Sequence, residues 1–321
     1  MRLKIILSAL LLFVGIVYLL NASWLAPAPN GKPVLLAHRG VHQTFRREGL
    51  TAQSCTASMI DPPTHDFIEN TLPSMRAAFD AGADIVEFDI HPTTDGHFAV
   101  FHDWTLDCRT DVKGTTREHT LAELKKLDAG YGYTADGGKT FPLRGKGIGL
   151  IPSLDEVLNT FPHKRFLIHI KSKDQNEGAA LARRLSEIPF ERHKQIMVYG
   201  DTVPVEYVKK HLPHLHVGSN SALKSCLLGY IATGWFGRVP ESCQGRLMLV
   251  PANIAPWLWG WPNRFMARMK AADVAVFILG DYDGGDFSSG IDTPADISHL
   301  PPRFDGGIWT NRIESIGPRL R

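Results

Sequence analysis

From Val34 to the C-terminus, short runs of β-branched and apolar residues alternate with stretches of helical spacing, and this alternation limits the possible folds more than any other feature of the chain. Val34–Ala37, Ile85–Ile90, Phe98–Phe101, Phe166–Ile170, Gln195–Tyr199, His214–Val217, Arg246–Val250, Val274–Leu279 and Gly307–Thr310 read as strands. Between them, helical patterns begin near Glu69, Ser153, Glu177, Val203, Ala222, Asn263 and Thr293, with a weaker one over Leu121–Leu127. Strands that alternate with helices pair in parallel, and this many units favour an α/β fold closed as a TIM-type (β/α)8 barrel over an open sheet. Nine runs are present where a barrel needs eight. The Asp95-Gly96 pair is a hairpin signal, so Phe98–Phe101 is expected to fold back antiparallel or to make the barrel irregular.

Several strands end on polar residues, at the barrel end where active sites of this fold lie. Val34–Ala37 runs into His38-Arg39-Gly40, and Phe98–Phe101 into His102-Asp103. Glu87 and Asp89 are alternate residues of one strand, so both carboxylates share a face, which in a barrel is the interior. Two carboxylates are costly to bury unless a cation compensates them. His169 and Lys171 likewise share one face of Phe166–Ile170 and its extension. Glu69-Asn70-Thr71 opens a helix, with Asn70 or Thr71 as the N-cap and Glu69 within reach of the site. Histidines exchange protons near neutral pH, arginine binds phosphate oxygens through a forked guanidinium, and a cation neutralises developing charge. The set suits a phosphate ester.

The N-terminus is of another kind. Arg2 and Lys4 precede a charge-free run from Ile5 to Leu20, near the roughly 20 residues that cross a bilayer once Trp24 and Leu25 are counted. Residues 1–25 therefore read as a signal anchor or a signal peptide. The anchor is favoured because no small-x-small site precedes Pro27, and the basic flank places the remaining chain outside the cytoplasm, periplasmic or extracellular, or secreted if the segment is cleaved. Residues 26–33, rich in proline, form a linker. Four cysteines with no C-x-x-C spacing suit an oxidising compartment and up to two disulfides; three pairings are open, and Cys226–Cys243, seventeen residues apart, is favoured. Net charge is only +2 with scattered basic residues, so no nucleic-acid partner is expected.

In their order along the chain, His38-Arg39-Gly40, Glu69-Asn70-Thr71, Glu87-Phe88-Asp89 and His102-Asp103 resemble the signature of the glycerophosphodiester phosphodiesterase family, and the likeness extends through Lys171 to the "GIWTNRIE" stretch at Gly307–Glu314. The branch it most resembles is the membrane-associated, lysophospholipase D-like one. The resemblance implies a metal-dependent phosphodiesterase that hydrolyses glycerophosphodiesters or lysophospholipids and releases the head-group alcohol. It implies His38 and His102 as the acid/base pair, Arg39 and Lys171 on the phosphate, and Glu87 and Asp89 as ligands of Mg²⁺ or Ca²⁺, with Glu69 and His169 as further candidate ligands. The family usually carries glutamate where this chain has His169, and an imidazole brings no charge, which leans the site toward Mn²⁺ or Zn²⁺. Phosphoinositide or sphingolipid cleavage, or a catalytically silent head-group-binding protein of the envelope, are the alternatives. Residues 34–321 form the barrel domain, with an insertion at about 41–68 and an apolar excursion at about 218–262. Trp257, Trp259 and Trp261 in that excursion are either core packing or an apolar surface near the bilayer.

Overall fold

A computed structural model describes residues 2–29, 31–47, 49–50, 54–284 and 289–321. Position 30 of the linker and positions 48 and 51–53 of the expected insertion lie outside the described residues. The elements follow in the order α1 (Arg2–Asn21), β1 (Val34–His38), α2 (Leu72–Asp80), β2 (Ile85–Pro92), β3 (Phe98–Val100), α3 (Leu121–Leu124) and α4 (Leu154–Thr160). They continue with β4 (Arg165–Ile170), α5 (Gln175–Ser186), α6 (Phe190–His193), β5 (Ile196–Gly200), α7 (Thr202–His211), β6 (His216–Ser219) and α8 (Asn220–Thr233). The last are β7 (Leu247–Pro251), α9 (Asn263–Ala271), β8 (Ala275–Leu279), α10 (Pro294–His299), β9 (Gly307–Thr310) and α11 (Ile313–Leu320).

Eight parallel strands pair in the order β6-β5-β4-β2-β1-β9-β8-β7, and a parallel bridge from Val217 to Arg246 brings the two ends together into a nearly closed TIM-type barrel. The ninth run, β3, pairs antiparallel with the end of β2, as its Asp95-Gly96 turn foretells. Ser153 and Thr293 cap α4 and α10 with reciprocal side-chain bonds to Glu156 and Asp296, which is why these helices start where the sequence signals them. Two helices are absent from the sequence reading, α6 and α11. The first is one turn long, and the second carries Gly317 and Pro318, which mask its pattern.

The barrel interior has two chemical layers. Leu36, Ile85, Leu167, Met197, Leu247, Phe277 and Trp309 form a compact apolar plug toward the N-terminal ends of the strands. One step further along the same interior-facing rows come His38 and Glu87, in register across β1 and β2, and then Asp89, His169 and Tyr199, in register across β2, β4 and β5. The plug closes the barrel below, so the polar layer opens only at the C-terminal end.

A second, smaller core lies beside the mouth. Ala57 and Ile60 from the segment between β1 and α2 pack with Phe101, Leu106, Leu124, Tyr133, Leu143 and Ile151 from the segment between β3 and α4. Cys55 and Cys108 are disulfide-bonded across 53 residues and fasten the two halves of this lobe; Cys226–Cys243 is the second bond, so both pairs form. Replacing Cys55 and Cys108 together by serine is expected to lower global stability by about 2–4 kcal/mol through the freed unfolded chain. Denaturant titration checks this, and an unchanged midpoint would show that the lobe holds without its bond.

Candidate active site

The turn after β1 explains why a buried strand ends on His-Arg-Gly. Arg39 and Gly40 both take left-handed backbone conformations (φ 57° and 79°), which aims the Arg39 amide at Glu87 Oε2, 3.1 Å away. A β-carbon at Gly40 would stand 2.3 Å from Ser74 Oγ, so only glycine fits there. Asn70 is also left-handed (φ 59°); its amide donates to the Arg39 carbonyl at 3.1 Å, and its side chain exchanges two hydrogen bonds with Asp89. Thr71, rather than Asn70, caps α2. The two motifs therefore form one interlocked pair of strained turns, of the kind that accumulates at functional sites.

Glu87 and Asp89 have no solvent exposure. Burial and the charge of Asp89 push the Glu87 carboxyl up to about 8. Burial also disfavours ionised Asp89, but Lys171, His102 and Arg39 outweigh it and hold that carboxyl well below the usual range. Tyr199 donates to Glu87 Oε1 at 2.8 Å, His169 Nδ1 lies 2.8 Å from Asp89 Oδ1, and Lys171 Nζ lies 3.6 Å from the same oxygen. Ligand atoms of Glu87, Asp89 and His169 all fall within 4.8 Å of one another. This donor set fits a divalent cation, because a second positive centre relieves the like-charge pair that leaves Glu87 so hard to ionise. Glu69 is placed elsewhere: its two oxygens face Arg39 Nη1 at 3.1 Å and Arg109 Nη1 at 3.2 Å, and these guanidinium groups keep it ionised despite burial.

The protonation pattern of the two strand-end histidines follows from their outer partners. His38 Nδ1 is 2.6 Å from Asn311 Oδ1, and the Asn311 amide nitrogen donates to Asp292 Oδ2 at 2.8 Å. A carboxylate accepts only, so the Asn311 oxygen must face His38, and His38 must carry its proton on Nδ1. On the other side, Arg109 Nε donates to Asp103 Oδ2 at 2.8 Å while Asp103 Oδ1 takes His102 Nδ1 at 2.5 Å. Both imidazoles thus carry the unprotonated nitrogen at Nε2, that of His38 lying 3.7 Å from Glu87 Oε2. Burial is the main reason that both stay neutral, reinforced by Arg39 beside each and by His42 and Lys171 at His38 and His102 respectively.

All eight candidate residues border this mouth. Sequence pattern does not disclose the residues that orient them. Asn311 lies 273 positions from His38, and Arg109, buried with its remaining nitrogens on Tyr133 and Thr56, joins the second core to Asp103 and Glu69. The only local hints are the asparagine that ends "GIWTN" and the arginine beside Cys108.

A sequence pattern common to the glycerophosphoryl diester phosphodiesterase family matches residues 38–199, half of the chain, from the first strand-end histidine to Tyr199. The chain belongs to that family. It is 35% identical over 155 residues to a glycerophosphodiester phosphodiesterase of Caldanaerobacter subterraneus subsp. tengcongensis (47% of this chain, 60% of that one). It is 39% identical over 114 residues to one of Bacillus subtilis (34% of this chain, 38% of that one). The matches thus span 60% and 38% of those relatives' lengths. Among solved structures, the glycerophosphoryl diester phosphodiesterase domain of an uncharacterized Mycobacterium tuberculosis protein superposes with a TM-score of 0.64 at 16% identity, covering 90% of this chain and 100% of that one. A phosphodiesterase of Oleispira antarctica in complex with the product sn-glycerol-3-phosphate gives 0.54 at 20% identity, over 88% and 94%. These likenesses establish the barrel fold.

Asp103→Asn puts an amide NH₂ where it must face either Arg109 or His102. Arginine cannot accept a hydrogen bond, so the NH₂ should turn to the imidazole and shift the His102 proton to Nε2. Nitrogen NMR of the histidine rings is expected to show Nδ1–H at both His38 and His102 in the parent and the exchanged form at His102 alone in the variant. An unchanged His102 would refute the assigned bonding.

Proposed function

We propose that this protein is a metal-dependent phosphodiesterase that cleaves glycerophosphodiesters or their acylated relatives, the lysophospholipids, and releases the head-group alcohol. The observation that carries the reading is the pair of neutral imidazoles, each held on Nδ1 and open at Nε2, beside a buried carboxylate pair. Arg39 and Lys171 would bind the phosphate oxygens, exchanging part of their pairing with Asp89 for the substrate's charge. One histidine takes the proton from the attacking hydroxyl as its oxygen bonds to phosphorus. The other, protonated on Nε2 in the bound state, delivers a proton to the departing alkoxide as the P–O bond breaks. His38 and His102 fill these roles between them.

Glu87, Asp89 and His169 would hold the ion, which supplies neutralisation of charge on the phosphoryl oxygens. Mg²⁺ or Ca²⁺ fits the carboxylates, and His169 makes Mn²⁺ or Zn²⁺ a competitor. We further propose that α1, with mean hydropathy 2.6 over its best window, anchors the chain in a membrane with the barrel outside the cytoplasm. Arg2 and Lys4 on its inner flank and the pairing of all four cysteines support that side.

Hydrolysis of glycerophosphocholine, followed by choline release, tests the reading. His38→Ala and His102→Ala should each lower kcat by roughly 100-fold or more, with the fold intact by circular dichroism. Chelation should abolish turnover, and one of the four ions should restore it. Parental rates in both variants would exclude the acid/base pair, and full activity in excess chelator would exclude the metal.

A further inference from the structure

The two disulfides of this protein sit in different surroundings. Cys226 and Cys243 are 2% and 0% exposed and belong to the main core. Cys55 and Cys108 are only half-buried, at the edge of the second lobe, so part of each residue meets solvent. A disulfide that solvent can approach is open to thiol exchange, whereas a core bond is shielded from attack.

The residues beside the accessible bond lead to the catalytic mouth. Thr56 follows Cys55, and Arg109 follows Cys108. Arg109 Nη2 donates to Thr56 Oγ1 at 2.8 Å, so a hydrogen bond runs next to the covalent one and joins the same two segments of chain. Thr56 and Arg109 are 4% and 2% exposed, and a guanidinium nitrogen that loses its acceptor there has no bulk water to replace it. The other nitrogens are engaged: Nε donates to Asp103 Oδ2 at 2.8 Å, and Nη1 donates to Tyr133 Oη at 2.5 Å and lies 3.2 Å from Glu69 Oε2. Asp103 Oδ1 takes the His102 Nδ1 proton at 2.5 Å. From the disulfide to the imidazole, the path is therefore one hydroxyl, one guanidinium and one carboxylate.

The lobe has other ties between the same segments. The Thr134 amide donates to the Ala57 carbonyl at 2.9 Å, and the Ile60 amide donates to the Thr134 carbonyl at 3.2 Å. These bonds hold Ala57 and Ile60 in the second core when the disulfide opens. What opening releases is the end of the segment that carries Cys55 and Thr56.

We propose that Thr56 is a positioning residue for His102, clamped in place by Cys55–Cys108, and that opening this bond with an external dithiol lowers turnover. A buried guanidinium that loses one acceptor turns to satisfy the freed nitrogen, and the turn costs Asp103 the donor that fixes its Oδ2. Asp103 then rotates, and the His102 ring samples both tautomers. His38 is oriented from the other side by Asn311 and Asp292 and keeps its proton on Nδ1. The exchange balances. One thiolate of the dithiol bonds to a sulfur of the pair while the other sulfur leaves as a thiolate, and the second thiol of the reductant then displaces the first. Two electrons and two protons end on Cys55 and Cys108, and the reductant departs as a disulfide. The effect on turnover rests on the phosphodiesterase reading; the loosening of His102 stands apart from it.

The test uses the full chain in detergent, treated with dithiothreitol so that Cys55–Cys108 opens and Cys226–Cys243 stays closed, as read by alkylation and peptide mapping. For glycerophosphocholine, kcat is expected to fall at least about tenfold, part of what a positioned acid or base contributes, and to return on reoxidation. Circular dichroism should show the fold retained. Nitrogen NMR of the reduced protein should show mixed tautomers at His102 and unchanged Nδ1–H at His38. Thr56→Val, with the disulfide intact, should give the same His102 signal, and Thr56→Ser, which keeps the hydroxyl, should restore the parental one. Parental turnover with the bond fully open, an unchanged His102 ring in the reduced protein or in Thr56→Val, or a loss of activity only on unfolding overturns the proposal. So does a bond that dithiothreitol cannot open in the folded protein. Absence of hydrolysis by the oxidised protein refutes the phosphodiesterase reading instead, and the NMR comparison then decides the positioning alone.

Discussion

Everything at the mouth of this barrel answers to one electrostatic constraint, the burial of Glu87 and Asp89 side by side without exposure to water. A strand period of two puts both on the interior face, and the apolar plug below them leaves no solvent to share the charge. The surroundings are arranged around that cost. The left-handed turn at Arg39 brings a main-chain amide to Glu87, Asn70 brackets Asp89, and Arg39 and Lys171 approach from above. The strain of these turns is the counterpart of solvating two carboxylates with protein groups.

The rest of the site is a second tier that sets direction rather than charge. Asp292 orients Asn311, which orients His38; Arg109 orients Asp103, which orients His102. The two relays end on opposite kinds of group, an obligate acceptor and an obligate donor, yet impose the same tautomer. Arg109 also faces Glu69, which faces Arg39, so the lobe fastened by Cys55–Cys108 is continuous with the Arg39 side of the mouth. A disulfide one residue away from Arg109 is thus coupled to the position of His102.

Much of this was legible in the chain because it is written in local periods. The alternation of Glu87 with Asp89, the glycine after His38-Arg39, the caps of α4 and α10 and the antiparallel β3 follow from spacing and turn chemistry alone. Asn311 and Arg109 do not, since their partners are fixed by barrel closure and by the packing of a lobe with no repeating pattern. Glu69 shows the limit from the other side. Its motif announces a carboxylate near the site, but only the fold reveals that two arginines take both of its oxygens. The end of α1 is a similar case, because hydropathy finds the helix and cannot find Arg268 at its last carbonyls.

The central claim is that the Glu87–Asp89 pair is the seat of a divalent cation. Calorimetric titration of Mg²⁺, Ca²⁺, Mn²⁺ and Zn²⁺ into the metal-free, full-length protein measures it directly, with Glu87→Gln as the comparison. One ion per chain bound by the parent, and at least about tenfold weaker binding by the variant, is the predicted result. Equal binding by parent and variant, or no binding of any of the four ions by the parent, would contradict it.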